Sequence, residues 1–315
     1  MKNLSLIDTH CDTSFELYHR KQHICENNCH ISLKNAEYLE NYTQFFAVWA
    51  DKRKSDDECF SDFLAISDNL FAEIDASRDK IAFVKNFSEM ENAWKSGRRA
   101  AFLAVEDARI LGGRIERLYE LERRGVKYLT LLWGGETCIG GSHNTDNGLT
   151  DFGKALARRC FELGLIPDVS HASEQSVDDL IPIAYQYGKP FIATHSNAHN
   201  LYGHSRNLRD RHFAVIKELG GIVGVSLCPS HLTDTTLRPA TAEDVFAHVD
   251  YYLSLGGEDI VGFGADWDGT DLPVGFSGVN DLTCVAEIMA RHNYSEELIH
   301  KLYWKNFYNF AIKNL

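Results

Sequence analysis

The stretch SLIDTHCDTS, residues 5–14, places a short apolar run directly before His10 and Asp12. Leu6 and Ile7 are typical of a buried strand, and the two polar side chains follow where that strand would end. Residues two apart in an extended chain point to the same face, so this imidazole and this carboxylate could bind one metal ion. The alternative is a surface loop. The rest of the chain helps to decide between a metal site and a surface loop, because apolar runs followed by polar side chains recur along it.

Short apolar runs rich in β-branched and aromatic residues recur along the chain, and each ends in polar or glycine residues. The eight runs are LSLID (4–8), QFFAVW (44–49), AAFLAVE (100–106), KYLTLLW (127–133), GLIPDVS (164–170), KPFIATH (189–195), GIVGVSL (221–227) and DIVGFGAD (259–266). They are continuously apolar, as expected of strands buried on both faces of a sheet.

Amphipathic segments typical of helices lie between these runs. Examples are DFLAISDNLFAEIDASRD (62–79), RIERLYELERRG (114–125) and AEDVFAHVDYYLSLGG (242–257), of which the last two end in a glycine that commonly closes a helix. Eight strands alternating with helices predict an α/β fold, a parallel (β/α)₈ barrel of the TIM type. Residues 18–42 and the weak apolar run KIAFVKNF (80–87) exceed the minimal count, and we expect them to be insertions. No linker or internal repeat is found, so one domain is expected over residues 1–315.

The charge of the chain disfavours two classes of partner. With 32 basic and 45 acidic residues, the formal net charge is −13, which repels nucleic acid phosphates and anionic lipids. The apolar stretch near the N-terminus is too short for a signal peptide, and no run of about 18 apolar residues could span a membrane. Eight scattered cysteines are expected to be reduced thiols. We therefore predict a cytoplasmic protein without nucleic acid or membrane partners.

Candidate metal ligands follow five of the eight predicted strands. In a barrel of this type the active site forms at the carboxyl ends of the strands. The side chains there are His10 and Asp12 after the first strand, Glu106 after the third, His171 after the fifth, His195 after the sixth, and Asp266 and Asp268 after the eighth. Taken singly, Glu106 could start a helix, and His171 and His195 could be core or capping residues. Their coincidence at one end of the barrel favours a metal site.

Five of these side chains, His10, Asp12, Glu106, His171 and His195, are taken as ligands, which is more than a single tetrahedral zinc with an open position requires. A central glutamate can bridge two ions about 3.5–4 Å apart, so Glu106 is the expected bridge. His10 and Asp12 would bind one ion, and His171 and His195 the other. A water held between both ions would be converted into a nucleophilic hydroxide.

A series of motifs, in order along nearly the whole chain, resembles the membrane (renal) dipeptidase family, and more closely its soluble bacterial members. The motifs are IDTHCD (7–12), QFFAVW (44–49), AVEDAR (104–109), YLTLLWGGE (128–136), GLTDFGKAL (148–156), GLIPDVSHAS (164–173), KPFIATHSNAHNLYGHSRNLRD (189–210), GGIVGV (220–225) and GFGADWDGT (262–270). The resemblance implies a metal-dependent barrel of the amidohydrolase type, two divalent ions, zinc above all, and a homodimer.

The resemblance also implies roles for individual residues. The residues that match the binuclear ligands of the family are His10, Asp12, Glu106, His171 and His195, with Glu106 as the bridge. Arg206 matches the arginine that binds the substrate's C-terminal carboxylate; its alternative is a surface ion pair with Asp210. Asp266 matches the aspartate that contacts the substrate's amino group and relays a proton to the leaving amine; its alternative is to orient a ligand. Asp268, before Gly269, is expected to be a structural turn residue.

Trp133 departs from the family pattern. Animal members carry a histidine at this position, at the end of the fourth strand, which touches the substrate's carbonyl oxygen. An indole N–H can donate a hydrogen bond but cannot become a cation. Either the metal alone polarises the carbonyl, or His143 or Asn144 from the following loop supplies a donor.

The sequence thus predicts a metallo-dipeptidase in which a hydroxide bridging two metal ions attacks the peptide bond of a free dipeptide. The resemblance extends this activity to dipeptides with a D-residue at the second position. Two alternatives stay open. One is an N-acyl-amino-acid deacylase or another amide or lactam hydrolase on the same barrel, and the other is a non-catalytic metal-binding protein. Imidazole and carboxylate ligands suit zinc but also manganese, cobalt or iron.

Overall fold

A curled sheet of parallel strands forms the centre of the computed structural model, which describes residues 4–315. Its strands are β1 (Leu6–Cys11), β2 (Tyr42–Trp49), β3 (Ile81–Phe83), β4 (Arg99–Glu106), β5 (Val126–Thr130), β6 (Ile166–Asp168), β7 (Val223–Val225) and β8 (Val261–Phe263). Neighbours along the sheet follow the order β6, β5, β4, β2, β1, β8 and β7.

Residues 191–194 close the sheet into a barrel. Ile192 pairs with Asp168 of β6, and Ala193 pairs with Val223 of β7, both in parallel. The ring therefore has eight positions, taken in order by β1, β2, β4, β5, β6, residues 191–194, β7 and β8. The predicted barrel is confirmed, although the predicted strand 189–195 is reduced to these two pairing residues.

Strand β3 lies outside the ring. It pairs with Arg99–Ala101 at the start of β4, whereas β5 pairs with the same edge of β4 from Leu103 onward. Because β2 occupies the other edge of β4 along its length, β3 and β5 share one edge. The segment 80–87 is thus an addition to the barrel, as the sequence indicated, and it contains a short paired strand.

Helices cover the outside of the sheet. They are α1 (Thr13–Arg20), α2 (Asp56–Ala76), α3 (Phe87–Lys95), α4 (Arg117–Arg124), α5 (Asp151–Leu163), α6 (Glu174–Tyr187), α7 (Asp210–Glu218), α8 (Pro229–Leu232), α9 (Ala242–Ser254), α10 (Thr283–Arg291), α11 (Glu296–His300) and α12 (Asn306–Asn314). A π-helical turn, Lys301–Lys305, joins α11 to α12, and two 3₁₀ turns cover Ala108–Leu111 and Val279–Leu282. The predicted helices within 62–79, 114–125 and 242–257 are confirmed as α2, α4 and α9.

An apolar layer fills the barrel beneath the carboxyl ends of its strands. Phe45 stacks on Phe102 at 4.6 Å between ring centroids and meets Phe307 of α12 edge-on at 5.1 Å. Tyr128 of β5 belongs to the same layer, with its ring 5.6 Å from that of Phe45. Packing of this kind excludes water, so polar groups just above the layer must find partners among themselves.

The predicted insertion 18–42 begins in α1 and continues as a loop that supports the segment after β8. The His30 backbone N–H donates to Asp268 Oδ1 at 2.7 Å, and the Asp268 N–H donates to His30 Nδ1 at 2.9 Å. Thr13 adds a hydroxyl bond of 2.6 Å to Asp268 Oδ2. Asp268 therefore has structural contacts, as expected of a turn residue.

All eight cysteines are free thiols, five of them buried, in agreement with the prediction from their spacing. Among residues 4–315, no helix is both long enough and apolar enough to cross a bilayer.

Candidate active site

The five predicted metal ligands converge at the carboxyl ends of the barrel strands. Potential ligand atoms lie within 4.8 Å of one another in three groups. The groups are His10, Asp12 and Glu106; Glu106, His171 and His195; and His10, His195 and Asp266. The first two groups are the two ligand sets expected from the sequence, and Glu106 is common to both. The third group adds Asp266 to the cluster.

Glu106 faces the two ligand sets with different oxygen atoms. Its Oε1 lies 3.0 Å from His171 Nε2 and 3.2 Å from His195 Nε2. Its Oε2 lies 3.7 Å from His10 Nε2. This is the arrangement that a bridging carboxylate requires, because each oxygen can serve a separate ion.

Hydrogen bonds on the Nδ1 side fix the protonation of His10 and His171. Tyr128 donates its hydroxyl proton to the carbonyl of Thr9 at 2.8 Å, so its oxygen accepts from His10 Nδ1 at 2.9 Å. His171 Nδ1 donates to the carbonyl of Trp133 at 3.0 Å. Both rings therefore carry their proton on Nδ1 and direct the Nε2 lone pair into the cluster, as metal-ligating histidines do.

His195 is oriented by a similar chain of hydrogen bonds. Thr194 donates its hydroxyl proton to Asp168 Oδ2 at 2.7 Å and accepts from His195 Nδ1 at 2.8 Å. Asp168 also accepts from the Thr130 hydroxyl at 2.6 Å and from the Ser170 N–H at 3.0 Å. This buried carboxylate connects three neighbouring barrel positions and holds the third imidazole for ligation.

The donor set fits a divalent cation. His171 Nε2 and His195 Nε2 are 3.0 Å apart, and neither carries a proton in the tautomers just described. His10 Nε2 and Asp12 Oδ1 are buried and have no hydrogen-bond partner within the described residues. Unpaired buried acceptors are costly, and several of them directed at one point indicate a site for a positive ion.

Electrostatics lead to the same conclusion. Burial raises the pKa of Asp12 to about 7, and the negative charge of Glu106 contributes to the rise. Burial also raises the pKa of Asp266 to about 6, with His10 acting against the rise. Three carboxylates in one buried cluster repel one another, and bound cations would relieve that repulsion.

Backbone geometry at the site is unusual. His171 has a φ of 70° and Asp266 a φ of 65°, both in the left-handed region that most side chains avoid. Strain of this kind is often found where a side chain must point in a particular direction. Gly269 lies where an added Cβ would collide with Asp12 Oδ2 and Asp266 Oδ1. A glycine here allows the chain to pass close to the carboxylates.

Asp8 is a positioning residue that the sequence did not assign. Its carboxylate accepts hydrogen bonds from the N–H groups of His10 at 3.0 Å and Ala265 at 3.2 Å, and from the Trp267 indole at 3.1 Å. A fourth bond of 3.2 Å comes from the Gln44 amide. Asp8 thus connects β1, β2 and the segment after β8. The sequence likewise did not assign positioning roles to Tyr128, Asp168 and Thr194. The one available signal was an aspartate within an otherwise apolar strand, as at Asp8 and Asp168.

Arg206 lies at the side of a cavity of about 710 Å³ above the cluster. It is buried, and it donates to Ser196 Oγ at 3.1 Å and to the His195 carbonyl at 3.0 Å. Its Nε is buried and has no partner within residues 4–315. The alternative of a surface ion pair with Asp210 is wrong, because Asp210 instead accepts from Asn200 and Tyr251.

The loop after β5 contributes to the cavity as well. Trp133, His143 and Asn144 all line it. Burial, reinforced by the nearby Arg206, lowers the pKa of His143 to about 3. A neutral imidazole is available there as a donor. The Asn144 side-chain oxygen accepts from the N–H of Gly135 and from the Ser142 hydroxyl, which fixes the orientation of its amide within the loop.

A first prediction concerns Tyr128. Replacing Tyr128 with phenylalanine removes the acceptor for His10 Nδ1, so we expect metal affinity to fall by about 10–100-fold, as for other residues that orient ligands. Competition with a chelator would measure it. Tyr303→Phe is the matched control, because its buried hydroxyl donates to the Leu282 carbonyl instead. Equal metal affinities in the two variants would contradict the orienting role.

A parallel barrel with imidazoles and carboxylates gathered at the carboxyl ends of its strands, next to a cavity with a buried arginine, defines a metal-dependent hydrolase. The sequence model described as membrane dipeptidase (peptidase family M19) matches residues 1–311. The chain belongs to this family of metallo-dipeptidases.

Two curated relatives illustrate the similarity. A Klebsiella pneumoniae protein from the pqqA 5′ region, whose own function is uncharacterised, is 33% identical over 177 residues, which is 56% of this chain and 64% of that protein. Dipeptidase tcpJ of Claviceps purpurea (strain 20.1) is 27% identical over 291 residues, 88% of this chain and 67% of that protein. The alignments thus span about two thirds of the length of each relative.

Solved structures are similar over the full chain. The metallopeptidase dipeptidase AC of family M19 superposes with a TM-score of 0.91 at 26% identity, covering 99% of both chains. A metallopeptidase from Rhodobacter sphaeroides, solved with a phosphinate mimic of the dipeptide L-Ala-D-Ala, has a TM-score of 0.91 at 25% identity and covers 100% of both chains. The metal-dependent barrel expected from the motif series is confirmed.

Proposed function

We propose that this protein is a dipeptidase that hydrolyses the peptide bond of free dipeptides at a site for two divalent ions. One observation supports this most directly: a buried carboxylate and a buried guanidinium lie next to different ligands of the same cluster. Asp266 Oδ1 is 3.8 Å from His10 Nε2, and Arg206 donates to the carbonyl of His195. A free dipeptide is a zwitterion whose two ends match these charges.

His10 and Asp12 would hold one ion, His171 and His195 the other, and Glu106 would serve both. We propose zinc, which suits imidazole and carboxylate ligands. Bound ions of this kind make a coordinated water acidic and polarise a carbonyl group.

Arg206 would bind the substrate's C-terminal carboxylate. A guanidinium has five N–H donors. One on each terminal nitrogen contacts Ser196 or His195 and the Nε–H is buried, so one N–H on each terminal nitrogen remains for the substrate. Paired donors on a rigid plane match a carboxylate well. Because this contact requires a terminal carboxylate at a fixed distance from the cluster, longer peptides would be excluded.

Asp266 would bind the substrate's ammonium group and transfer a proton. Its carboxylate is buried beside the cluster and, within residues 4–315, forms no salt bridge to lysine or arginine, so its negative charge is available to an ammonium ion. During hydrolysis an Asp266 oxygen would accept the proton of the attacking water and deliver it to the nitrogen of the leaving amine. General acid–base transfer of this kind contributes about 10²–10⁴-fold to rates.

Acceptance of a D-residue at the second position is supported by two observations. The Rhodobacter sphaeroides relative was solved with a mimic of L-Ala-D-Ala. In this protein Gly134 and Gly135 line the cavity after β5, and an added Cβ at either would meet no atom within 4 Å. Open space beside the second residue would allow either configuration at its Cα.

Comparing a free dipeptide with its N-acetylated form tests the proposed function against the deacylase alternative. Acetylation removes the cation that Asp266 would bind and adds bulk where the substrate should end. We therefore expect the metal-loaded enzyme to hydrolyse the free dipeptide and to process the acetylated compound at least tenfold more slowly. A preference for the acetylated compound would establish a deacylase, and no hydrolysis of either would favour a non-catalytic protein.

A further prediction concerns Arg206. Replacing it with alanine should reduce kcat/KM for free dipeptides far more than for their C-terminal amides, because only free dipeptides lose a charge-assisted contact worth about 1.5–3 kcal/mol. The amide is the internal control for any general disturbance of the site, and thermal unfolding would check the fold. Equal losses on both substrates would count against carboxylate binding.

The homodimer and the cytoplasmic location remain predictions from the sequence. Size-exclusion chromatography with light scattering would measure the first directly.

A further inference from the structure

Three aromatic side chains form a wall on one side of the cavity. They are Phe15 of α1, Trp49 at the end of β2 and Trp133 after β5, and each is partly exposed and lines the cavity. No role in ligand binding or proton transfer is needed from Phe15 or Trp49 in the proposed function. We call these three residues the aromatic wall.

The members of the aromatic wall contact one another. Trp49 meets Trp133 edge-on, with ring centroids 5.2 Å apart and planes at 62°. On its other side Trp49 meets Phe15 at 5.5 Å and 70°. Edge-to-face contacts on both sides hold the Trp49 ring in one orientation. Lys52 Nζ lies 5.1 Å from the Trp133 ring centroid, so the ammonium group occupies one face of that ring.

The position of the aromatic wall follows from the order of the barrel. Asp266 follows β8, and Arg206 donates to the carbonyl of His195, which directly follows the segment 191–194. The two charged residues therefore lie on either side of β7. Trp49 and Trp133 belong to β2 and the end of β5, so they flank β4. In a ring of eight positions, β4 is third and β7 is seventh. The aromatic wall therefore lies opposite the pair of charges that would hold the ends of the substrate.

We infer that the aromatic wall binds the side chain of the amino-terminal residue and selects dipeptides with a large apolar or aromatic residue at that position. This inference rests on the proposed function. The amino-terminal residue is assigned because β1, which precedes Phe15, pairs with both β2 and β8. Phe15 is therefore one ring position and Trp49 two ring positions from Asp266, the residue that would hold the substrate's ammonium group. Only Trp133, two ring positions from Arg206, lies on the other side, so most of the wall faces the amino-terminal residue.

The second residue of the substrate has different surroundings. Arg206 lies across β6 from the loop after β5, where Gly134 and Gly135 leave open space. The two glycines themselves offer no side chain to the second residue of the substrate, so this part of the loop provides little selection by contact. Selection by side chain is therefore expected at the first position and not at the second.

A further observation concerns the indole N–H of Trp49 in the aromatic wall. Trp49 Nε1 is buried and has no hydrogen-bond partner within residues 4–315. Buried indole N–H groups usually find an acceptor. Because this N–H is inaccessible to water, the indole offers its apolar ring to the cavity and not a donor.

The experiment measures kcat/KM of the metal-loaded enzyme for Phe-Ala, Ala-Phe and Gly-Ala. We expect Phe-Ala to exceed Gly-Ala at least tenfold and Ala-Phe to show no comparable gain. In Trp49→Ala the ratio of Phe-Ala to Gly-Ala should fall to within about threefold of unity, whereas Trp49→Phe should keep most of it. Circular dichroism and metal content would verify that each variant is folded and loaded.

The outcomes separate the two proposals. The inferred role of the aromatic wall would be overturned if all three dipeptides were hydrolysed without preference for Phe-Ala, or if Trp49→Ala did not change the preference. Either result would leave the proposed dipeptidase function standing. If Trp49→Ala fails to fold, Phe15→Ala is tested in its place, and the same fall in the ratio of kcat/KM for Phe-Ala to that for Gly-Ala is expected. No hydrolysis of any free dipeptide by the wild-type enzyme would overturn both.

Discussion

Glu106→Gln is expected to lower kcat/KM for a free dipeptide by more than a hundredfold and to reduce the content of bound divalent ions, without unfolding the barrel. Residues that merely orient ligands cost about 10–100-fold when removed, and Glu106 faces both ligand sets directly. One of its oxygens lies near His171 and His195 and the other near His10. An amide of the same size keeps one carbonyl oxygen but replaces the other with a donor.

Elemental analysis and thermal unfolding of Glu106→Gln would separate loss of metal from loss of fold. Glu73→Gln is a control, because Glu73 is likewise a glutamate with a histidine partner, His23, but it is only partly buried and lies outside the cavity. The control should keep full activity and metal content. Active wild-type enzyme with no more than one tightly bound ion would rule out the binuclear site.

Asp266→Asn should lower kcat by at least about a hundredfold, the lower end of what general acid–base groups contribute. An asparagine keeps the size of the side chain but can neither pair with the substrate's ammonium group as a charge nor carry the proton to the leaving amine. We expect the five ligands to retain their ions, so metal content should be unchanged. Binding of a product amino acid should weaken less than turnover.

The same variant tests the competing role of Asp266. Its Oδ1 is close enough to His10 Nε2, at 3.8 Å, to belong to a ligand group with His10 and His195. If metal content falls in proportion to activity, Asp266 is a ligand and the proton-transfer assignment is wrong. If turnover falls while the ions remain, the carboxylate acts on the substrate.

The barrel could be predicted from the sequence because strands buried on both faces are continuously apolar. The predicted strand bounds were least accurate at the carboxyl ends of the strands, next to the candidate active site. The runs 164–170 and 259–266 were predicted as strands, but β6 and β8 each span only three residues. Beyond them the chain turns through left-handed residues, His171 and Asp266. An apolar pattern indicates burial but not such a change in backbone direction.

The ligands could be predicted because their residue types are diagnostic and each follows a strand. The residues that orient them could not, because their contacts cross between strands distant in sequence. Tyr128 is separated from His10 by 118 residues, and Asp8 from Trp267 by 259. Within its own strand, Tyr128 resembles any other core aromatic residue. Only the closed barrel brings its hydroxyl to the imidazole.

Closure of the ring between β1 and β8 has a consequence for biosynthesis. Asp8 of β1 takes its partners from Ala265 and Trp267, and Asp12 donates its backbone N–H to the Trp267 carbonyl at 2.8 Å. A ribosome must therefore translate to residue 267 before the first-made strand gains its second neighbour. Until then Asp8 and Asp12 lack the hydrogen bonds that connect β1 to the segment after β8. We therefore expect the complete ligand set to form only after most of the chain has been made.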